Sequence, residues 1–193
     1  MIPNVTTVDK HGTHTYDIIS EAFGNDRKIW LSREINDETA TEIIAQLEYL
    51  DKQSNADITL YINSPGGSVS AGLAIIDAME RCRSDVSTVC TGTAASMGAM
   101  ILVCGTKGKR RVTPYSEVMI HQPLGGFSGQ ASDMERAANH LAHTKKVLMT
   151  MLSERTGQPI RKVTSDCDRD SWLSAPEAIE YGIADSILGK GEK

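Results

Sequence analysis

Thr91-Gly92-Thr93-Ala94-Ala95-Ser96-Met97-Gly98-Ala99 places one serine in a run of very small residues, directly before the apolar Met100-Ile101-Leu102-Val103. Small residues let backbones approach closely, and glycine permits a tight turn that can hold a hydroxyl at a helix start. Ser96 therefore has two readings. It is an N-cap, since serine is a preferred cap and an apolar run follows, or it is a nucleophile presented at a turn. Locally the cap is the commoner role for such a serine, so the rest of the chain has to decide.

Upstream, Asp85-Val86-Ser87-Thr88-Val89-Cys90 reads as a strand, which makes the stretch a small-residue loop between that strand and a helix over 97 to 104. The same order occurs once before. Ile58-Thr59-Leu60-Tyr61-Ile62 is β-branched and aromatic, Asn63-Ser64-Pro65-Gly66-Gly67 is a loop, and a helix from Val69 carries Val69, Leu73, Ile76 and Met79 on one side. With Val118-Met119-Ile120 as a third strand, the two units imply a parallel sheet with right-handed crossovers. Ile29-Trp30-Leu31 adds a strand, and Asn36-Asp37 opens a helix with Ala40, Ile43, Ile44, Leu47 and Leu50 on one face.

Residues 4 to 28, with His11, Gly12, His14 and Asn25, read as a turn-rich arm followed by a short amphipathic piece, Tyr16-Asp17-Ile18-Ile19. Residues 130 to 155 form a long helix with Met134, Ala137, Ala138, Leu141, Leu148 and Leu152 on a stripe, stopped by Gly157 and Pro159. Its length implies either projection toward another subunit or packing across the sheet. A last helix starts at Ser174-Ala175-Pro176-Glu177, a capping box with proline in the first turn, and ends at Gly182.

A chain of 193 residues with 40% hydrophobic content suits one domain, and 5% aromatic residues imply a core of aliphatic side chains and methionine. A net charge of -5 argues against nucleic acid as a primary partner. The basic run Lys107-Gly108-Lys109-Arg110-Arg111 reads as a solvated turn. Met1-Ile2-Pro3-Asn4 lacks the regions of a signal peptide, and the longest apolar run, Ala94 to Cys104, is too short to span a bilayer. The expectation is a soluble cytoplasmic protein without a membrane partner. Cys82, Cys90, Cys104 and Cys167 show no Cys-x-x-Cys spacing, so we expect no disulfide, no zinc site and no other metal.

In parallel sheets, ligands bind beyond the carboxyl ends of the strands, where Gly66-Gly67, Ser96 and His121 all fall. Of the five histidines, His121 alone is placed there; its alternative role is a core histidine closing a strand. An unactivated serine needs a base within hydrogen-bond reach, and the base needs a third group to hold its tautomer. Asp166, Asp168 and Asp170 are all candidates, and spacing does not choose among them. Those not used are solvated charges or partners of Arg169. The backbone N–H groups of Gly67 and Met97, at loop-to-helix junctions, are candidate oxyanion donors. Ser96 has glycine at +2 but alanine at -2, so this is not the α/β-hydrolase elbow.

Asn63-Ser64-Pro65-Gly66-Gly67, Gly92 to Ala99, Val118-Met119-Ile120-His121-Gln122-Pro123, Gly129-Gln130-Ala131-Ser132-Asp133, Asp168-Arg169-Asp170 and Leu173 to Ala178 together resemble the ClpP family, the proteolytic subunit of the ATP-dependent Clp protease. The likeness runs from about Tyr16 to Leu188. It implies a crotonase-like α/β fold of repeated β-β-α units: an arm and short helix over 1–28, a head over 29–129 and 157–193, and a projecting handle helix over 130–156, all one domain. It implies Ser96 as nucleophile, His121 as general base and then acid, and Asp170 as orienting carboxylate, which selects Asp170 over its neighbours. By the same likeness Gly67 and Met97 form the oxyanion hole. Gly66, Ser68 and Val69 with Leu124, Gly125 and Gly126 would hold the substrate backbone as an added strand, and Gln130, Asp168 and Arg169 would join two stacked heptameric rings.

The resemblance further implies a closed chamber fed by an AAA+ unfoldase of the ClpX, ClpC or ClpA type, which uses the ATP, and no cofactor in this subunit. Family members line the outer docking cleft with aromatic side chains, whereas the matching positions here are Thr59, Ile76, Arg81 and Arg111. Partly cationic pockets offer little to an apolar anchor. That departure suggests a divergent isoform working in a mixed particle with a second ClpP subunit. Two rivals remain: a non-catalytic ring subunit, and a crotonase acting on acyl-CoA, which would not need a serine with a histidine base.

Overall fold

The molecule, described here as a computed structural model over residues 2–10 and 12–189, opens with an antiparallel hairpin. Strands β1 (Asn4–Asp9) and β2 (Gly12–Asp17) pair with Asn4 opposite Asp17 and Asp9 opposite Gly12. This corrects the reading of an unpatterned arm: Val5, Thr6, Thr7, Val8, Thr13 and Thr15 are β-branched and favour strand, although neither face is fully buried. His11, read as part of that arm, lies outside the described residues, as do Met1 and residues 190–193.

Asp17 caps helix α1 (Ile18–Asp26), its Oδ1 accepting from Ile19 N–H and Ser20 N–H at 3.0 Å each. Strand β3 (Lys28–Leu31) leads to α2 (Asp37–Gln53), which a reciprocal box between Asn36 and Thr39 caps. Arg27 links the two elements. Its guanidinium donates to the carbonyls of Leu50, Ser54, Ala56 and Asp57 and to Ser84 Oγ, which ties the end of α2 and the loop after it to the start of β3.

The two expected strand-helix units follow as β4 (Ile58–Ser64) with α3 (Val69–Arg81), and β5 (Val86–Ala95) with α4 (Met97–Val103). Here the structure corrects a boundary. The small-residue stretch is not a loop but the second half of β5, which runs without a break to Ala95. The β4–β5 register slips there, Ile62 facing Cys90 but Ser64 facing Ala94, so β5 carries extra residues opposite one step of β4. Gly92, at φ +87, makes the slip possible, because a Cβ there would lie 2.8 Å from Asn63 Oδ1.

The ten-residue β5 then serves two neighbours. Thr88–Cys90 pair with β6 (Arg110–Val112), and Thr93–Ala95 pair with β7 (Glu117–Ile120), both parallel. After α5 (Ala131–Thr156) and α6 (Ile160–Asp166), β8 (Ser171–Ser174) returns antiparallel on β7; α7 (Ala175–Tyr181) and β9 (Ser186–Ile187) complete the sheet beside β6. The main path is β3-β4-β5-β6-β9. This is the α/β arrangement of repeated strands and helices that the resemblance implies.

Ile29, Leu31, Leu60, Ile62, Ile75 and Ile101 form the centre of the core. Ile76 is 1% exposed and belongs to that core, so it cannot line a surface cleft as expected. Thr59 and Tyr61 alternate to the other face, where Tyr61 stacks on Trp30 at 5.9 Å, and Arg81 pairs outside with Glu48 at 2.9 Å. The basic run is also corrected. Arg110 is 4% exposed, in β6, and grips Asp185 through Nε at 3.0 Å and Nη2 at 2.7 Å.

Helix α5 buries only Leu148, Met149 and Leu152 among its 26 residues. Its first half is mostly exposed, with Ala137 and Leu141 half-buried. All four cysteines are free. Burial pushes the thiols of Cys90, Cys104 and Cys167 up to about 11, so they stay protonated at neutral pH. Among the described residues, no helix is long and apolar enough to cross a membrane.

Candidate active site

Ser96 is the single residue between β5 and α4, with φ 55 and ψ -119. A side chain in this region costs about 1–3 kcal/mol and persists only where the surroundings hold it. Ser96 N–H donates to Met119 O at 2.9 Å, which ties the turn to β7. The hydroxyl makes no capping bond to α4. It lies instead 2.8 Å from His121 Nε2. The position is that of a cap, but the side chain is turned away from the helix.

Gly66 and Gly67 allow the neighbouring loop to close on this turn. A Cβ on Gly66 would sit 2.7 Å from Ser96 Cβ and 3.0 Å from Met97 N, and Gly66 has φ +89. A Cβ on Gly67 would strike Ile35 O at 2.2 Å. Ile35 brackets Gly67 through its own N–H to Gly66 O and the Ser68 N–H to Ile35 O, both at 2.8 Å.

His121 follows β7 directly, and its Nδ1 lies 2.9 Å from Asp170 Oδ1. A carboxylate at Nδ1 fixes the proton on that nitrogen and leaves Nε2 as acceptor for the serine hydroxyl. The imidazole is 14% exposed and the Asp170 side chain 62%. The other two carboxylates are engaged elsewhere. Asp166 accepts from Lys162 Nζ at 2.6 Å and Tyr181 OH at 2.9 Å, while Asp168 Oδ1 lies 3.4 Å from Gln122 Nε2. Burial raises the Asp166 carboxyl, but the Lys162 and Tyr181 bonds outweigh it and hold it below the usual range.

Among the described residues the N–H groups of Gly67 and Met97 meet no protein acceptor. The Gly66–Gly67 segment lies against Met97 N, so both donors belong to one site. Such an arrangement can activate a hydroxyl and stabilise an oxyanion, the requirements of acyl transfer.

In the expected substrate strand, Gly66 donates to Ser64 Oγ at 3.1 Å and accepts from Ile35, and Ser68 donates to Ile35 and accepts from Gly72 N–H at 3.0 Å. Their N–H groups are taken, which leaves an added strand only the second lone pair of each carbonyl. Neighbouring residues in extended chain point opposite ways, so Gly67 and the Val69 N–H remain available. Leu124, Gly125 and Gly126 lie in coil after β7, with Leu124 81% exposed.

A hollow of about 640 Å³ opens between α3, this coil and α5, lined by Val69, Leu73, Pro123, Phe127, Leu141 and Val147 among others. Val69 and Pro123 also line a much smaller space at Ser96 and His121. Gln130 occupies the N-cap of α5 without a side-chain cap bond, and Asp168 and Arg169 are 65% and 94% exposed. Among the described residues, no group of three or more His, Cys, Asp or Glu side chains could hold a metal.

Sequence reasoning did not find Gln122 and Lys145, which connect α5 to this site: Lys145 Nζ donates to Gln122 Oε1 at 2.6 Å. Lys145 lies among ordinary polar helix positions, and only the packing of α5 picks it out. A family model described as Clp protease matches residues 10–191 of the chain.

Proposed function

We propose that this chain, which belongs to the Clp protease family, is a serine endopeptidase subunit that cleaves unfolded proteins and short peptides through an acyl-enzyme. The observation that carries the proposal is the continuous line from Ser96 Oγ through His121 to Asp170, at 2.8 Å and 2.9 Å, from a serine at positive φ that makes no cap bond.

In this reading His121 Nε2 takes the Ser96 proton as Oγ attacks the peptide carbonyl carbon. Asp170 accepts the Nδ1–H bond and steadies the imidazolium that forms. The carbonyl oxygen, now an oxyanion, receives the N–H groups of Gly67 and Met97. Collapse breaks the C–N bond, and His121 passes its proton to the leaving amine. Water, deprotonated by the same nitrogen, then releases the acid and restores Ser96. Gly67 and the Val69 N–H align an extended substrate, and the apolar hollow receives its side chains. A crotonase reaction on acyl-CoA has no use for the hydroxyl-imidazole-carboxylate line.

Family membership supports a particle of two stacked heptameric rings, with α5, Gln130, Asp168 and Arg169 at the ring contact. It also supports an AAA+ unfoldase of the ClpX, ClpC or ClpA type that uses the ATP. The outer sheet face favours a second reading of the partnership. Thr59, Arg81 and Arg111 stand where aromatic side chains would hold an apolar anchor, and Arg111 Nε is buried without a partner among the described residues. On that reading the chain works mainly in a mixed particle whose other isoform supplies the docking face.

Cleavage of a short fluorogenic peptide by the full chain, abolished in Ser96→Ala, is the expected result. An equal rate in Ser96→Ala refutes the assignment, and no cleavage by any assembled form supports a non-catalytic ring subunit instead. If the chain alone, given an unfoldase and ATP, degrades a folded tagged protein, the mixed-particle reading fails.

A further inference from the structure

Gln122 joins the strand end carrying His121 to the turn carrying Asp170. Its N–H donates to Cys167 O at 2.7 Å, and its Nε2 donates to Asp168 O at 2.9 Å. Its Oε1 accepts from Lys145 Nζ on α5 at 2.6 Å. An ammonium group only donates, so Lys145 can meet only the oxygen of the Gln122 amide. That turns the amide NH2 toward Asp168.

The tether has something to hold. The Asp170 side chain is 62% exposed, and among the described residues its carboxylate meets one partner, His121. No buried socket fixes the carboxylate; its place depends on the turn over residues 167–170 and on Ser171, which pairs with Ile120 across β7 and β8. Gln122, next to His121, is the side chain that fastens this turn to the end of β7.

We infer that Lys145 is a positioning residue for the His121–Asp170 pair, acting through the orientation of the Gln122 amide. Without the ammonium the amide is free to rotate, the side-chain tether to Asp168 O is lost, and fewer molecules hold the imidazole against Asp170. Lys145 touches neither serine nor histidine, so its effect falls on the chemical step rather than on substrate binding. The inference rests on the serine peptidase reading above.

The test uses the full chain in its assembled form, with a short fluorogenic peptide and with fluorophosphonate labelling of Ser96. Lys145→Met is expected to lower kcat about tenfold with KM nearly unchanged and to slow labelling by the same factor; Lys145→Arg, which still donates to the amide oxygen, recovers most of the rate. Gln122→Leu is expected to show a similar loss, and the double variant no further loss, because both act through one amide. An unchanged kcat in Lys145→Met, or losses that multiply in the double variant, overturn the inference. So does a loss that follows dissociation of the particle in sedimentation, which would make Lys145 an assembly residue. Failure of the peptidase reading looks different: the unmodified chain itself then neither cleaves peptide nor labels.

Discussion

Replacing Asp185 by asparagine tests whether the buried Arg110 pair holds β6, β9 and the end of α5 together. Asp185 Oδ2 accepts from the N–H of Gly108 at 2.8 Å, the N–H of Arg110 at 2.9 Å and Arg110 Nε at 3.0 Å, while Oδ1 takes Arg110 Nη2 at 2.7 Å. Arg110 Nη1 also reaches Arg155 O in α5 at 3.1 Å. In Asp185→Asn one oxygen becomes an NH2. Its better orientation keeps three bonds and sets donor against donor at Nη2, beside a guanidinium left without a counter-charge.

Breaking a buried ion pair by removing one partner costs about 3–5 kcal/mol. The Asp185 side chain keeps 18% exposure, which argues for the lower end, about 3 kcal/mol. For a chain of this size that lowers Tm by roughly 6–12 °C. The assay is thermal unfolding at one fixed protomer concentration, since assembly shifts Tm by mass action. Burial raises the Asp185 carboxyl, but the Arg110 bonds outweigh it and hold it below its ordinary 3.8. Its contribution is therefore complete above 3.8 and declines as pH falls through the lower folded value, so the variant should lose less stability than the parent below about pH 4. A Tm change under about 2 °C, or acid curves of equal slope, would show that the Arg110–Asp185 pair does not hold these elements together.

Asp170→Asn should lower kcat by roughly 10³–10⁴ with KM little changed, while Asp166→Asn, whose carboxylate is engaged by Lys162 and Tyr181, should leave peptide cleavage near the parent rate. Steady-state kinetics on one peptide decides both. Gly67→Ala forces a Cβ against Ile35 O and would displace the proposed oxyanion donor, so kcat should fall at least about 10²-fold and Tm should drop as well. Ser96→Gly should unfold at a higher temperature than Ser96→Ala, by about 1 kcal/mol, because glycine accepts φ 55 and alanine does not.

Helix signals survived the step from sequence to structure best. Asn36, Gly157, Ser174 with Glu177 and Gly182 all act at helix ends, because a cap is chemistry within a few residues of itself. Strand limits were less legible. Thr91 to Ala95 has the composition of a loop, yet it is strand because β7 offers a second edge to β5 and a register slip admits Gly92. The arginine run misled for the same reason: Arg110 is inside because Asp185, 75 residues away, takes its charge. Ile76 kept its helical stripe and went to the core.

The site itself was half legible. Topology brings Ser96 and His121 to one sheet edge; spacing leaves Asp166, Asp168 and Asp170 open, the resemblance selects Asp170, and the folded turn before β8 brings that carboxylate to His121. The engagement of Gly66 O and Ser68 N–H inside the chain follows from Ile35, whose pairing with Gly67 has no local signal.

Activation of Ser96 by His121 is tested by labelling with a fluorophosphonate followed by peptide mapping. A single adduct on Ser96 of the assembled protein is expected, absent in Ser96→Ala and at least 10²-fold slower in His121→Ala. No adduct, an adduct on another residue, or equal labelling rates with and without the imidazole would contradict it.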